Sequence, residues 1–186
     1  IMISKNFDGI KSRTVFCLWT GYEAMSEARI QALWSIFSVI GCPVAFITPT
    51  TLNEWVHPER PLHKAYTYLS SVHKSDYLRC YLMHYYGGGY TDIKMTSKHW
   101  APFFFEIENS NKLALGYQEL AHGIPHISGE FGDRIRAIHF ELIGLCAFIF
   151  KKQTDLTSSW LKKTEFLLDQ KYDELVKNPA QHPMDQ

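Results

Sequence analysis

This chain has no excess of either charge: 19 Lys and Arg stand against 19 Asp and Glu, and the basic residues are scattered. A nucleic-acid binder shows a basic face or stripe, so partnership with nucleic acid is not expected. Paired cysteines are missing as well. Cys17, Cys42, Cys80 and Cys146 lie far apart with no metal-type spacing, which signals neither a zinc site nor a disulfide framework and points to free thiols in a reducing compartment. Ile1 to Arg13 lack the apolar core of a signal peptide. The longest apolar run, Leu142 to Phe150, is about half of what a membrane-spanning helix needs. No internal repeat or low-complexity stretch interrupts the chain. Together these absences lead us to expect a cytoplasmic protein with no membrane span, peripheral association remaining open.

What is present suits one globular domain. A chain of 186 residues with 46% hydrophobic side chains can bury a single core. We expect one domain over 1–186, truncated at both ends, because the start before Met2 and the end at His182-Pro183-Met184-Asp185-Gln186 look like cut edges. Aromatic residues are abundant; most of them belong in a core, and some could stack on a sugar.

Strand and helix signals alternate, the pattern of an α/β fold. Thr14 to Trp19 and Val44 to Thr48 read as buried strands. Between them, Ser26 to Val39 carries Ala28, Leu33, Trp34, Ile36 and Phe37 at helical spacing and stops at Gly41 before Pro43. Thr50 or Thr51 could cap a short helix through Trp55, with a loop at Pro58 and Pro61. A second helix spans Ser70 to Tyr86. Lys112 to Gly116 and Gly144 to Phe150 are further strands, and a long amphipathic helix after Asp155 runs through Val176, presenting Leu156, Trp160, Leu161, Leu167, Leu168 and Leu175.

The chemistry concentrates in Ser75-Asp76-Tyr77-Leu78-Arg79 and, behind it, Gly87-Gly88-Gly89-Tyr90-Thr91-Asp92-Ile93-Lys94. Gly87 can cap the helix in a left-handed conformation, and Gly88 and Gly89 would let backbone approach a ligand closely. In the extended segment that follows, Tyr90, Asp92 and Lys94 share one face while Thr91, Ile93 and Met95 enter the opposite layer. Asp76 and Arg79 share a helical face with Val72 and Met83. As an ordinary surface ion pair they would contribute only ~0.3–0.5 kcal/mol; beside a glycine turn and a carboxylate, they could instead fix several sugar hydroxyls. Asp92 could equally be a turn carboxylate, and Lys94 a solvent-facing lysine.

This stretch resembles the signature of GT-A glycosyltransferases of the DxD sugar-binding type and of capsular polysaccharide synthesis proteins. In those families a Ser-Asp-x-x-Arg helix leads into Gly-Gly-x-Tyr/Trp-x-Asp-x-Asp or Asp-x-Thr. The resemblance covers the motif core and, more loosely, the first half of the chain. It implies a GT-A, Rossmann-like mixed sheet flanked by helices, and a donor that is a nucleoside-diphosphate sugar, UDP-sugars favoured. By the same likeness Asp76 and Arg79 hold the donor sugar, and Asp92 meets the ribose or a Mn2+ or Mg2+ ion on the diphosphate. These three form the implied catalytic set. Lys94 departs from the pattern, standing where many relatives carry a second metal-binding Asp.

Ligands of open α/β sheets gather beyond the carboxyl ends of the strands. Trp19-Thr20-Gly21-Tyr22 follows the first strand, where the resembling families place the base; Trp19 is either a base-stacking ring or a core residue. The implied donor site therefore comprises Trp19, Thr20, Gly21, Asp76, Arg79, Gly88, Gly89, Asp92 and Lys94. Breaking the bond from the anomeric carbon to the diphosphate builds charge on the departing oxygens. A metal held by Asp92 could stabilise it, or Lys94 with Arg79. The acceptor, a glycan, polysaccharide or lipid-linked chain, would meet the loop-rich stretch holding Glu119, His122, His126, Glu130, Asp133, His139 and Glu141, and the resemblance favours a retaining enzyme. The alternative is a non-catalytic sugar-nucleotide or glycan-binding module with a degenerate metal motif.

Overall fold

The computed structural model describes residues 13–124 and 126–179; the cut edges expected at the two ends lie outside them. Five strands form one mixed sheet in the order β2-β1-β3-β5-β4. β1 (Val15–Leu18) runs parallel to β2 (Val44–Ile47) on one side and to β3 (Gly88–Thr91) on the other. β5 (Ile143–Phe150) is antiparallel to β3 and pairs with the antiparallel edge strand β4 (Ala114–Gln118). This agrees with a Rossmann-like α/β arrangement.

The period of two in a strand sends alternate side chains to opposite layers, and both layers are covered. Phe16, Leu18, Tyr90, Phe148 and Phe150 point toward α2 (Ser71–Tyr85) and α5 (Asp155–Lys177), joining Leu78, Leu82, Leu161 and Leu175 in the larger core. Val15 and Ile149 point the other way, onto Ile36 and Ile40 at the end of α1 (Glu27–Val39) and Phe104 and Ile107 of α3 (Ala101–Glu108). Cys17 lies on that side too, against Ala32 and Ile93. Burying each such Phe, Leu or Ile contributes about 1.5–3 kcal/mol.

Local signals set the helix ends. The Ser26 hydroxyl accepts from the Arg29 amide, that of Ser70 from His73, and that of Thr154 from Thr157 in a capping box. Gly87 ends α2 at φ +65, as expected of a left-handed cap. The Thr50–Trp55 segment is only a 3₁₀ turn, Leu52–Glu54; Thr51 spends its hydroxyl on the Thr48 amide at 3.0 Å instead of capping it.

Other expectations are revised. α1 buries Ala32, Ser35 and Ile36, leaving Trp34 and Phe37 exposed, because residues four apart define the seam against the sheet. On α5, Leu161 and Leu175 are buried while Leu156 and Leu167 face outward. β3 ends at Thr91, and a tight turn in which the Lys94 amide donates to the Asp92 carbonyl at 2.8 Å takes the chain off the sheet. Ile93 still enters the α1 layer, but Met95 is exposed. The stretch holding the acceptor candidates contains α4 (Gly129–Ala137), and Gly132 belongs there because a Cβ would strike the Ile127 carbonyl.

Candidate functional site

α2 runs from solvent into the core, and its functional pair sits at the boundary. Along the face Val72, Asp76, Arg79, Met83, exposure falls from 48% at Val72 to 0% at Met83. Asp76 is half-exposed while the Arg79 side chain is only 13% exposed, so the two partners lie in different surroundings. Arg79 pairs with Asp76, donates Nη1 to the Leu145 carbonyl at 2.7 Å, and lies 5.3 Å over the Tyr90 ring. Its Nε is buried with no hydrogen-bond partner. Arg79 thus ties α2 to β5, and a hydrogen bond to a charged group contributes about 1.5–3 kcal/mol, well above a surface ion pair.

Tyr90 is the hinge of the site. Its ring lies between Arg79 and Phe148, the latter stacked at 5.3 Å. Its hydroxyl, 3.3 Å from Ser75 Oγ, donates to Asp92 Oδ1 at 2.8 Å. Burial foremost, and then the Asp92 charge, push the phenol well above its ordinary range, so Tyr90 remains a donor. The antiparallel ladder continues one residue past β3, the Asp92 amide donating to the Cys146 carbonyl at 2.8 Å. That pairing brings Lys94 Nζ to 3.0 Å from Cys146 Sγ, and to 3.4 Å from Asp92 Oδ2. The Cys146 contact foremost, with Asp92 adding to it, holds the ammonium above its usual pKa. Tyr117, in the bulged part of β4, closes over Gly144; its phenol is pushed up to about 12 by burial and by Cys146.

A divalent ion fits these residues poorly. Asp92 gives one oxygen to Tyr90 and faces the other to Lys94, and the described residues hold no group of three or more His, Cys, Asp or Glu able to bind a metal.

The end of β1 divides between two layers. Trp19 donates its indole N–H to the Glu23 carbonyl at 2.9 Å and packs with Cys17, Ala32 and Ile93, the layer opposite Tyr90. Thr20 turns the other way, its hydroxyl donating to the Ser71 carbonyl at the start of α2. Thr20 lines a pocket of about 90 Å³ with Tyr22, Thr48, Tyr66, Lys74 and Leu78. Sites that enclose a whole ligand measure ~300–1,000 Å³, so this one has room for a single small group. Gly21 lies in the turn, and a Cβ there would meet the end of the Glu23 side chain.

Gly88 and Gly89 open β3, three or four residues, roughly 10 Å, from Asp92 at its other end. Gly88 holds φ +88, and a Cβ on Gly89 would come 2.8 Å from the Trp100 ring. Both are buried, and Gly89 answers to packing. In the acceptor stretch, Asp133 pairs with Arg136 at 2.7 Å and the His139 ring meets the Glu119 carbonyl at 3.0 Å. Glu119 also accepts from the Leu120 amide, and His122 lies in a 3₁₀ turn, Ala121–Gly123. His126, Glu130 and Glu141 are exposed.

Thus Asp76, Arg79, Asp92 and Lys94 converge, Thr20 lies at the neighbouring pocket, and Trp19, Gly88 and Gly89 are elsewhere. Sequence reasoning missed Ser75, Tyr90 and Cys146 as members of the cluster and Tyr66 and Lys74 as pocket walls. Three of them left a signal: Tyr90 in the motif, on the face expected for Asp92 and Lys94, and Ser75 and Lys74 in their places on the helix that carries Asp76. No protein-family model, no curated protein and no solved structure matches the chain.

Proposed function

We propose that this domain binds a nucleoside-diphosphate sugar along the carboxyl edge of its sheet and transfers the sugar, with retention, to a glycan, polysaccharide or lipid-linked acceptor. The observation that carries the reading is the meeting, through one tyrosine, of the Asp76–Arg79 pair with Asp92 and Lys94, two segments that the GT-A-like motif also joins. Asp76 is open enough to accept from sugar hydroxyls, and Lys94 is open enough to meet phosphate oxygens. The pocket at Thr20 takes part of the nucleoside. In the reaction the bond from anomeric carbon to diphosphate breaks, a bond to the acceptor oxygen forms, and the acceptor proton leaves with the diphosphate.

Calorimetric titration against UDP-, GDP- and dTDP-sugars, paired with an assay for released nucleoside diphosphate, tests this. At least one sugar nucleotide should bind and be consumed. Silence from all of them at millimolar ligand refutes the proposal. Binding without release would favour the non-catalytic module, a reading that Arg79's commitment to the Leu145 carbonyl supports.

A further inference from the structure

We infer that the Lys94 ammonium takes the place of a divalent cation at Asp92, so that the site binds a diphosphate through a cation built into the chain. The inference rests on the reading of this edge as a phosphate-binding site, and departs from the metal that the motif implies. Three observations carry it. Tyr90, buried, donates its hydroxyl to Asp92 Oδ1 at 2.8 Å. Lys94 Nζ sits 3.4 Å from Oδ2 and is steadied from the other side by Cys146 Sγ at 3.0 Å. The position two residues after Asp92, from which a second carboxylate would face a metal, is itself the ammonium.

Lys94 is more than half exposed, so it could swing away. A metal arriving in its place would still find one carboxylate oxygen, a tyrosine on the other, and no cluster of further ligands among the described residues. Lys94 already faces Asp92 Oδ2 and Cys146 Sγ, and its remaining hydrogen can donate to a phosphate oxygen in a charge-assisted bond. Asp92 then orients the ammonium and does not chelate.

The test uses two probes on the full chain, Mn2+ alone and inorganic pyrophosphate. Titrated with Mn2+ and followed by the paramagnetic resonance of the free ion, the wild-type protein should leave the signal unchanged. Manganese bound by wild type and lost in Asp92→Asn overturns the inference. Calorimetry with pyrophosphate should give the same affinity in chelator as in Mn2+; Lys94→Gln should lower it about tenfold or more, the loss of one charge-assisted bond, and Lys94→Arg should keep it within a few fold. Pyrophosphate binding that requires Mn2+, binding indifferent to Lys94→Gln, or no binding in either condition overturns it. Pyrophosphate binding that depends on Lys94 but is accompanied by silence from every sugar nucleotide leaves this inference standing and removes the proposed donor.

Discussion

Raising the pH should unfold this protein steeply, and the buried phenols and thiols set the magnitude. Tyr77, Tyr81 and Tyr90 are 1–2% exposed, and Cys17 and Cys80 are fully buried. Burial is the largest cause of every shift: it pushes Tyr81 and both thiols up to about 12, and Tyr77 and Tyr90 higher. In the unfolded chain thiols ionise near ~8.5 and tyrosines near ~10. A group whose folded pKa is raised stabilises fully below its unfolded pKa, and that contribution is lost as pH climbs toward the folded value, at about 1.36 kcal/mol per unit. Two thiols therefore withdraw about 2.7 kcal/mol per unit above pH ~8.5, and three tyrosines add about 4 above pH ~10. By pH ~11 the loss is roughly 11 kcal/mol, comparable with the ~5–15 kcal/mol that holds a domain folded. Urea midpoints followed by tryptophan fluorescence between pH ~8 and ~11 measure the slope, with tyrosinate absorbance recorded alongside. Tyr90→Phe should flatten the slope above pH ~10 by about a fifth. Complete tyrosinate formation around pH ~10 in a chain still folded by fluorescence refutes the reasoning.

Three further outcomes separate ligand roles from packing roles. Arg79→Lys loses the Leu145 bond and should cost about 1.5–3 kcal/mol in urea unfolding, whereas the half-exposed Asp76→Asn should cost under ~1 kcal/mol; both should abolish nucleotide release, and unaltered release in Asp76→Asn removes it from the site. Gly89→Ala puts a Cβ 2.8 Å from Trp100 and 3.1 Å from Val15, so it should destabilise by about 1–3 kcal/mol while leaving ligand affinity of the folded protein unchanged. Weakened affinity at unchanged Tm would return that glycine to the ligand. Phe148→Ala empties the space between Tyr90, Phe150 and Trp160 and should cost about 3–5 kcal/mol by urea unfolding.

What the sequence by itself determined is what neighbours along the chain decide. The helices that start at Ser26 and Ser70, the left-handed Gly87, the strands β1 and β2 and the long α5 all follow from φ preferences, side-chain-to-amide bonds and local period. α3 and α4 escaped notice for local reasons as well. The run Phe103-Phe104-Phe105 shows no polar face behind Pro102, and Gly129 and Gly132 weaken any helical signal. Tertiary structure alone decided the site. Arg79 meets Leu145, and Lys94 meets Cys146, across 66 and 52 residues because β5 folds back antiparallel beside β3. The same pairing stacks Phe148 on Tyr90, while alternation along β1 sends Trp19 with Cys17 to the layer away from Tyr90. A one-residue slip in a strand exchanges its two faces, so these contacts depend on register, which is set by burying both layers at once.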